Sequence, residues 1–339
     1  MTTPRLIFVD LRGSEPRLME PPARSVLCLG NFDGVHRAHS VLLNEGKQLT
    51  RELTAKGGKT LSGVFCFIRP TVDYVFTPEG VTPVRVRGHL TTLRDKLRLF
   101  ARLRLDFACL CNFPDVRDLT PGEFISLLKG SCGCVGVVCG FNHYFGKNAS
   151  GNAYHLLEAF GKNYTRIQSE MKMDGMTVSS SRIRDCLKEG NTKTAERLLG
   201  RPYSLETAVV HGKALGRTIG FPTANQYFPA ERAIPETGVY ATLCHTPYGI
   251  YAGVSNVGSH PTVDDFARVN CETYIIGMKG DLYKKRIKVE FLTKLRDEQK
   301  FASLEDLIAA IGRDAVRAKA YVDKRLSQSP VLDTELDFF

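Results

Sequence analysis

Much of what this chain of 339 residues lacks is informative. Its longest apolar runs, such as Val135 to Val138, fall far short of the ~20 residues a membrane-spanning helix requires. Met1 to Ile7 carries neither the apolar core nor the small-residue cleavage site of a secretory leader, so a cytoplasmic address is expected, with no membrane partner. There is no long Lys/Arg run and no motif of basic residues with interleaved aromatics, so no nucleic-acid partner is expected. The net charge of +10 reads instead as a field that draws in small anions such as nucleotides. No repeat or low-complexity segment interrupts the chain, and 43% hydrophobic against 24% charged residues excludes wholesale disorder. The ten cysteines include no C-x2-C pair: Cys109-Leu110-Cys111 and Cys132-Gly133-Cys134 have the wrong spacing for a zinc knuckle. Cys28, Cys66, Cys109, Cys111 and Cys139 stand in apolar strand-like runs, where a free thiol packs as a small hydrophobe. Core thiols are expected, not metal ligands or disulfides.

What is present is a strand, a polar loop and a helix near the start. Ser25 to Leu29 reads as a buried strand, and Ala38 to Lys56 as a helix with apolar residues at Val41, Leu42, Leu43 and Leu49. Between them lie Gly30, Asn31, Phe32, Asp33, Gly34, Val35 and His36. His36 and His39, three residues apart, share one face of the first helical turn, where unpaired backbone N–H groups and the helix dipole favour an anion. Such a place suits the phosphates of a nucleotide, although two histidines near a helix start are as readily two solvated polar side chains.

A chain of this length usually makes two domains. The first half alternates strand and helix: Leu61–Ile68, Thr92–Leu103, Phe107–Cys111, Val135–Gly140, Asn152–Phe160 and Tyr164–Gln168. Thr120-Pro121-Gly122-Glu123 offers an N-cap, a proline at N1 and a capping-box glutamate, and Ser179-Ser180-Ser181 caps a helix from Arg182 to Lys188. Repeated βα units imply an α/β fold, a doubly wound parallel sheet with ligands at the strand C-termini. After a helix over Thr192–Leu199, the pattern changes to short strands at Thr207–His211, Val239–His245, Gly249–Val254, Asn270–Gly277 and Ile287–Leu292. This reads as a β-barrel with a terminal helix from Ser303 to Lys324. Thr246-Pro247-Tyr248-Gly249 and Gly280-Asp281 read as hairpin turns, and the tail ending in Phe338-Phe339 as poorly ordered. The expected domains are 1–188 and 189–339.

The run Gly212-Lys213-Ala214-Leu215-Gly216-Arg217-Thr218-Ile219-Gly220-Phe221-Pro222-Thr223-Ala224-Asn225 is similar to the GKxxGRxxGFPTAN motif of riboflavin kinases. Gly238-Val239-Tyr240-Ala241, Gly253 to Gly258 and Pro261-Thr262 continue that pattern in order. The block from Gly30 to His39 resembles the HxGH signature of nucleotidyltransferases, with Ala38 where glycine is usual. Together, over most of the chain, the two blocks resemble the bacterial bifunctional riboflavin kinase/FAD synthetase (FMN adenylyltransferase) family. The resemblance implies a nucleotidyltransferase domain that adenylylates FMN to FAD with release of pyrophosphate. It also implies a β-barrel riboflavin kinase domain, with Mg2+ and ATP as co-substrate for both reactions.

By the same resemblance, His36 and His39 bind the ATP phosphates and stabilise charge at the α-phosphorus, with Gly30, Asn31 and Asp33 lining their loop. Gly140-Phe141-Asn142-His143-Tyr144-Phe145-Gly146 is similar to the family's G-x-N-F-x-F-G, which places Asn142 near the phosphates. Ser179, Ser180 and Arg184 match its SSTxIR segment. In the kinase, Glu272 of Cys271-Glu272-Thr273-Tyr274 falls at the general-base position, with Tyr274 replacing a histidine. Thr223 and Asn225 would ligate Mg2+; Gly212, Lys213, Gly216 and Arg217 would meet the ATP phosphates; Arg296 of Leu295-Arg296-Asp297-Glu298 would border the flavin. Ala38, and Cys66-Phe67-Ile68-Arg69-Pro70 in place of T-F-x-P-H-P, depart from the pattern. Two rivals follow: a riboflavin kinase with a weakened adenylyltransferase half, and a non-catalytic flavin- or nucleotide-binding regulator. Oligomeric state is not legible.

Overall fold

The computed structural model describes residues 4–69, 74–77, 80–83, 88–212, 215–260 and 268–328. Pro70, Lys213, Ala214, Pro261, Thr262 and the Phe338-Phe339 tail lie outside these residues. The chain divides into two compact units, Met1–Ser180 and Ser181–Phe339. The break falls shortly before the expected one after residue 188, so most of the helix Ser180–Lys188 goes with the second unit.

The first unit opens with β1 (Ile7–Asp10), β2 (Arg17–Leu18), β3 (Ser25–Leu29), α1 (Arg37–Ala55) and β4 (Leu61–Phe67). A small antiparallel pair, β5 (Tyr74–Thr77) and β6 (Gly80–Pro83), precedes α2 (Leu93–Arg102), β7 (Phe107–Cys111), α3 (Phe113–Val116) and α4 (Pro121–Ser131). Then come β8 (Cys134–Gly140), β9 (Tyr144–Phe145), β10 (Gly151–Asn152), α5 (Ala153–Phe160), β11 (Thr165–Gln168), β12 (Lys172–Met173) and β13 (Met176–Thr177). The main sheet has the order β11-β8-β3-β4-β7-β1-β2. Its first five strands are parallel, as the βα grammar requires; β1 and β2 extend it antiparallel.

Both faces of the parallel strands are covered, so alternate residues serve different cores. Leu27, Phe65, Phe107, Cys109 and Val137 pack with Phe124 and Leu128 of α4 and Leu156 of α5. Val26, Cys28, Val64, Ala108 and Val138 pack with Leu42, Leu43 and Leu49 of α1 and Phe100 of α2. Helix starts follow local chemistry: Thr92 and Thr120 each form a capping box, with Asp95 and Glu123, and Pro121 takes N1 where no N–H is needed. All ten cysteines are buried and unpaired; Cys109 and Cys132 bring their Sγ atoms to 3.8 Å. Burial pushes the Cys139 and Cys244 thiols up to about 12 and Cys271 to about 11.

The second unit runs α6 (Ser180–Lys188), α7 (Thr192–Leu199), β14 (Tyr203–Ala208), α8 (Leu215–Thr218) and β15 (Thr223–Tyr227). It continues through β16 (Gly238–Thr246), β17 (Gly249–His260), β18 (Arg268–Ile275), β19 (Arg286–Arg296) and α9 (Leu304–Gln328). These strands form one antiparallel sheet, β14-β19-β16-β17-β18-β15. The segment after β14 bridges back from Val210 to Asn225 on β15, joining the two ends of the sheet as a barrel. The expected strand Thr207–His211 is thus displaced: β14 ends at Ala208, and Val209 and Val210 make isolated bridges. The Pro247-Tyr248 turn closes the β16–β17 hairpin as expected. The hairpin expected at Gly280-Asp281 is not one: β18 and β19 are not neighbours, and this segment crosses between β17's side and β14's side of the sheet. Local turn chemistry does not reveal which strands pair. Helix α9 buries Ala318 and Val322 against Val239, Ala241, Leu243 and Leu292. No helix among the described residues is long and apolar enough to cross a membrane.

Candidate active sites

In the first unit the chain leaves β3 toward β4 and β7 on one side, while β8 and β11 lie on the other. The point where strand order reverses is therefore between β3 and β8, and open α/β sheets bind ligands in the crevice there. The loop Gly30–His36 follows β3, and the Asn142 segment follows β8, so both sequence-identified segments reach the same crevice. Asn142 is exposed.

The first loop is held under strain. Phe32 (φ 50), Gly34 (φ 84) and Val35 (φ 40) all adopt left-handed backbone, which glycine tolerates and a β-branched valine does not. Tertiary contacts compensate: Phe32 is buried edge-on to Phe100, and Asp33 spends its carboxylate on the backbone N–H groups of Leu90 (2.9 Å) and Thr91 (3.2 Å). Thr91 Oγ1 accepts from the Gly34 N–H at 3.0 Å, and Ser180 Oγ donates to the Asp33 carbonyl at 2.8 Å. Asp33, read from sequence as a phosphate-loop residue, is buried and acts on the loop's shape.

His36 is the N-cap of α1, and its Nδ1 accepts from the His39 N–H at 3.3 Å. That bond puts the proton of the neutral His36 ring on Nε2. The two imidazoles stack, centroids 3.6 Å apart and 14° between planes, with Phe32 edge-on to His39 at 5.2 Å. Gly30 lies against the Phe32 ring and donates its N–H to the Phe65 carbonyl, while Asn31 is exposed. Ser179 and Ser180 are half-buried at the end of the unit. Arg184, half-buried on α6, belongs to the second unit. Ala38 is half-buried in the first turn of α1, and Cys66 lies wholly in the core. The sequence did not single out Lys96, a buried lysine at the same sheet edge. Nor did it foresee that burial holds His143 at about 4, hence neutral near pH 7, with an Nε2 that lacks a partner among the described residues.

In the second unit, β18 places Glu272 directly between Asn225 of β15 and Asn256 of β17. One pleat along, Thr223, Tyr274 and Val254 form the parallel row. Asn270 Nδ2 donates to the Glu272 carboxylate at 3.0 Å, and Asn225 Nδ2 to Thr223 Oγ1 at 3.4 Å. A cavity of about 300 Å3 opens here, lined by Gly216, Thr223, Glu272 and Arg296 with apolar walls from Phe221 and Ile311. Asn225 lies just behind Thr223, 9% exposed, and Arg217 is exposed outside the lining. Gly212 approaches the Asn225 carboxamide so closely that a Cβ there would lie 2.5 Å from its Nδ2. Arg296 is held in place by Asp314 of α9, Nε to Oδ2 at 2.8 Å, and lies 5.6 Å over the Phe301 ring. Asp314 is buried and was missed by sequence reading, because a helix residue some eighteen positions downstream carries no local signal. Among the described residues no three His, Cys, Asp or Glu side chains are grouped to hold a metal ion.

Residues 18–182 match a family profile described as FAD synthetase, and residues 199–322 one described as riboflavin kinase. A protein of Escherichia coli (strain K12), "Bifunctional riboflavin kinase/FMN adenylyltransferase", is 35% identical over 322 residues, covering 92% of this chain and 97% of its own. The chain belongs to the bifunctional riboflavin kinase/FMN adenylyltransferase family. A Bacillus subtilis (strain 168) relative of the same name is 30% identical over 308 residues, covering 90% of this chain and 94% of its own. A solved chain from Streptococcus pneumoniae, described as a macrolide-efflux protein, is similar with a TM-score of 0.77 at 27% identity, covering 89% of this chain and 95% of that one. In this bifunctional family member the FAD synthetase domain carries the β3–β8 crevice, and the riboflavin kinase domain carries the Glu272 cavity.

Proposed function

We propose that this chain makes both flavin cofactors in two steps, phosphorylating riboflavin to FMN at the Glu272 cavity and adenylylating FMN to FAD at the β3–β8 crevice. The carrying observation is that the two family profiles fall on the two structural units separately, each with its own candidate site. ATP serves both reactions. Ten unpaired thiols and a nucleotide substrate fit a cytoplasmic setting.

In the kinase, Glu272 accepts the proton of the ribityl 5′-hydroxyl as that oxygen attacks the γ-phosphorus and ADP leaves. Its strand position, between two asparagines and hydrogen-bonded by Asn270, fixes the carboxylate at the cavity wall. Thr223 and Asn225 would hold Mg2+. They are neutral oxygen donors of the kind this hard cation takes, and a half-turn of the Asn225 amide exchanges its nitrogen for its oxygen beside Thr223 Oγ1. The missing Cβ of Gly212 leaves room for that carboxamide. Bound there, Mg2+ supplies charge neutralisation for the transferring phosphoryl group. Arg296, fixed by Asp314, borders the flavin.

In the adenylyltransferase, an FMN phosphate oxygen attacks the α-phosphorus, and the bond to the β-phosphate bridging oxygen breaks to release pyrophosphate. His36 and His39, stacked at the N-terminus of α1, donate to the phosphates alongside the helix's first N–H groups. Asn142, Ser179 and Ser180 donate to the remaining phosphate oxygens. Asp33 acts through loop geometry.

Chromatography of flavins after incubation with riboflavin, ATP and Mg2+ tests the whole reading. FMN followed by FAD is expected. FMN alone would mark a kinase with a failed adenylyltransferase, and neither product would mark a binding protein.

A further inference from the structure

Lys96 belongs to none of the motifs, yet it is 3% exposed. Its ammonium makes two long hydrogen bonds, to the carbonyl of Asn31 at 3.4 Å and to that of Phe67 at 3.4 Å. No carboxylate among the described residues pairs with it.

Stability alone gives no reason for a charge here. Lysine is almost never buried so fully without an ionic partner, because an ammonium stripped of water costs several kcal/mol in free energy. Lys96 also lies in the first turn of α2, where the helix dipole disfavours a cation. Two carbonyls at this distance return little of that cost, and a neutral donor would satisfy them as well. An anion that arrives from outside would supply the missing counter-charge.

The location identifies that anion. Asn31 stands in the loop after β3 that leads into the His36 cap, and Phe67 is the last residue of β4, the neighbouring parallel strand. Both carbonyls are therefore at the C-terminal edge of the sheet, where the crevice lies. Cys66, one residue before Phe67, is buried close enough to feel the ammonium's charge.

We infer that Lys96 is a positioning residue of the adenylyltransferase site: its buried ammonium ties the phosphate-binding loop to the end of β4 and sets a fixed positive charge beside the ATP triphosphate. This rests on the reading of the first unit as the site of adenylyl transfer. The positive charge acts on ATP, not on the flavin ring, and the tie keeps the Asn31 carbonyl turned away from the phosphates it would repel.

The test uses the full chain with Lys96→Met, Lys96→Arg and, if the first is not recovered folded, Lys96→Gln. FAD formation from supplied FMN is measured with ATP and FMN varied separately, and riboflavin phosphorylation by the same preparations reports folding. For Lys96→Met we expect kcat/KM for ATP to fall on the order of tenfold to a hundredfold, the range for a hydrogen bond to a charged group, with the KM for FMN within about twofold. Lys96→Arg should recover most of the loss. Thermal melting of Lys96→Met should not drop, because a buried charge is replaced by an apolar chain of similar length. Equal losses toward ATP and FMN, no arginine rescue, or unchanged ATP dependence would each overturn the role. A parallel His36→Ala/His39→Ala chain separates the two levels: FAD synthesis surviving there rejects the site itself, whereas its loss beside an unaffected Lys96→Met rejects only Lys96.

Discussion

Gly212→Ala converts a distance in the kinase domain into a measurable rate. A Cβ at this position would lie 2.5 Å from Asn225 Nδ2 and 2.6 Å from both Cγ and Oδ1, whereas ordinary contact begins near 3.4 Å. The whole carboxamide must therefore move by about 1 Å, and misplacement on that scale can cost on the order of 10²-fold in rate. Backbone adjustment of Gly212 offers little relief, because Val210, two residues earlier, is hydrogen-bonded to the Asn225 carbonyl at 2.8 Å. The change should leave folding intact, since Gly212 is exposed and its backbone conformation is open to alanine. The assay is FMN production across a Mg2+ titration, with FAD production from supplied FMN as the internal standard. A loss of roughly 10- to 100-fold, partly recovered at high Mg2+, is expected. Parent-like kinase activity with an unchanged Mg2+ requirement would refute the argument that Asn225 must keep its place.

Three further outcomes follow from the same geometry. Glu272→Gln preserves the side chain's shape and its Asn270 contact but removes the proton acceptor, so FMN formation should fall about 10²-fold or more in the flavin assay, with FAD formation from FMN retained. Asp314→Asn removes the carboxylate that fixes Arg296; the KM for riboflavin should rise, and chemical denaturation should show a loss of about 3 kcal/mol, as for a broken buried ion pair. Burial pushes the Glu290 carboxyl up, but the His245 ring, its Nε2 3.4 Å from the carboxylate, and the paired Lys288 ammonium outweigh it and hold the group at about 2, below its ordinary 4.5. Its stabilisation is therefore full above pH 4.5 and lost as pH falls from 4.5 toward 2; melting curves of Glu290→Gln across this window should show a flatter acid dependence than the parent's.

The periodic elements were legible because both halves obey one rule each. Parallel strands covered on both faces read as continuous apolar runs, and β3, β7 and α7 sit where the pattern places them. Thr120 and Pro121 announced α4 through chemistry confined to four residues. Strands β1 and β2 were not legible, since β1 is held by pairing with β7, far along the sequence, and the two-residue β2 pairs only with β1. The Gly280-Asp281 segment misled for the same reason: a turn signal does not say whether its flanking strands are neighbours. At the candidate sites, the residues named in advance were those that belong to a motif, such as His36, His39 and Glu272. Residues outside a motif that act through another group were not. Asp314 on Arg296 and Lys96 on two carbonyls depend on tertiary contacts without a local pattern, and Asp33, named for its place in the loop, holds the Thr91 backbone by a contact its motif does not announce.

The buried thiols make the native protein its own unfolding recorder. Reaction with a maleimide requires an accessible thiolate, and neither access nor deprotonation is available to these side chains until the surrounding structure opens. Cys28, Cys66, Cys109, Cys111, Cys132, Cys134 and Cys139 belong to the first unit, and Cys186, Cys244 and Cys271 to the second. Brief labelling followed by peptide mass spectrometry therefore reads the opening of each enzyme half separately, in the unmodified chain and under turnover. Ligand-dependent protection of the second set by riboflavin, or of the first by ATP, becomes a direct measure of which half each substrate closes.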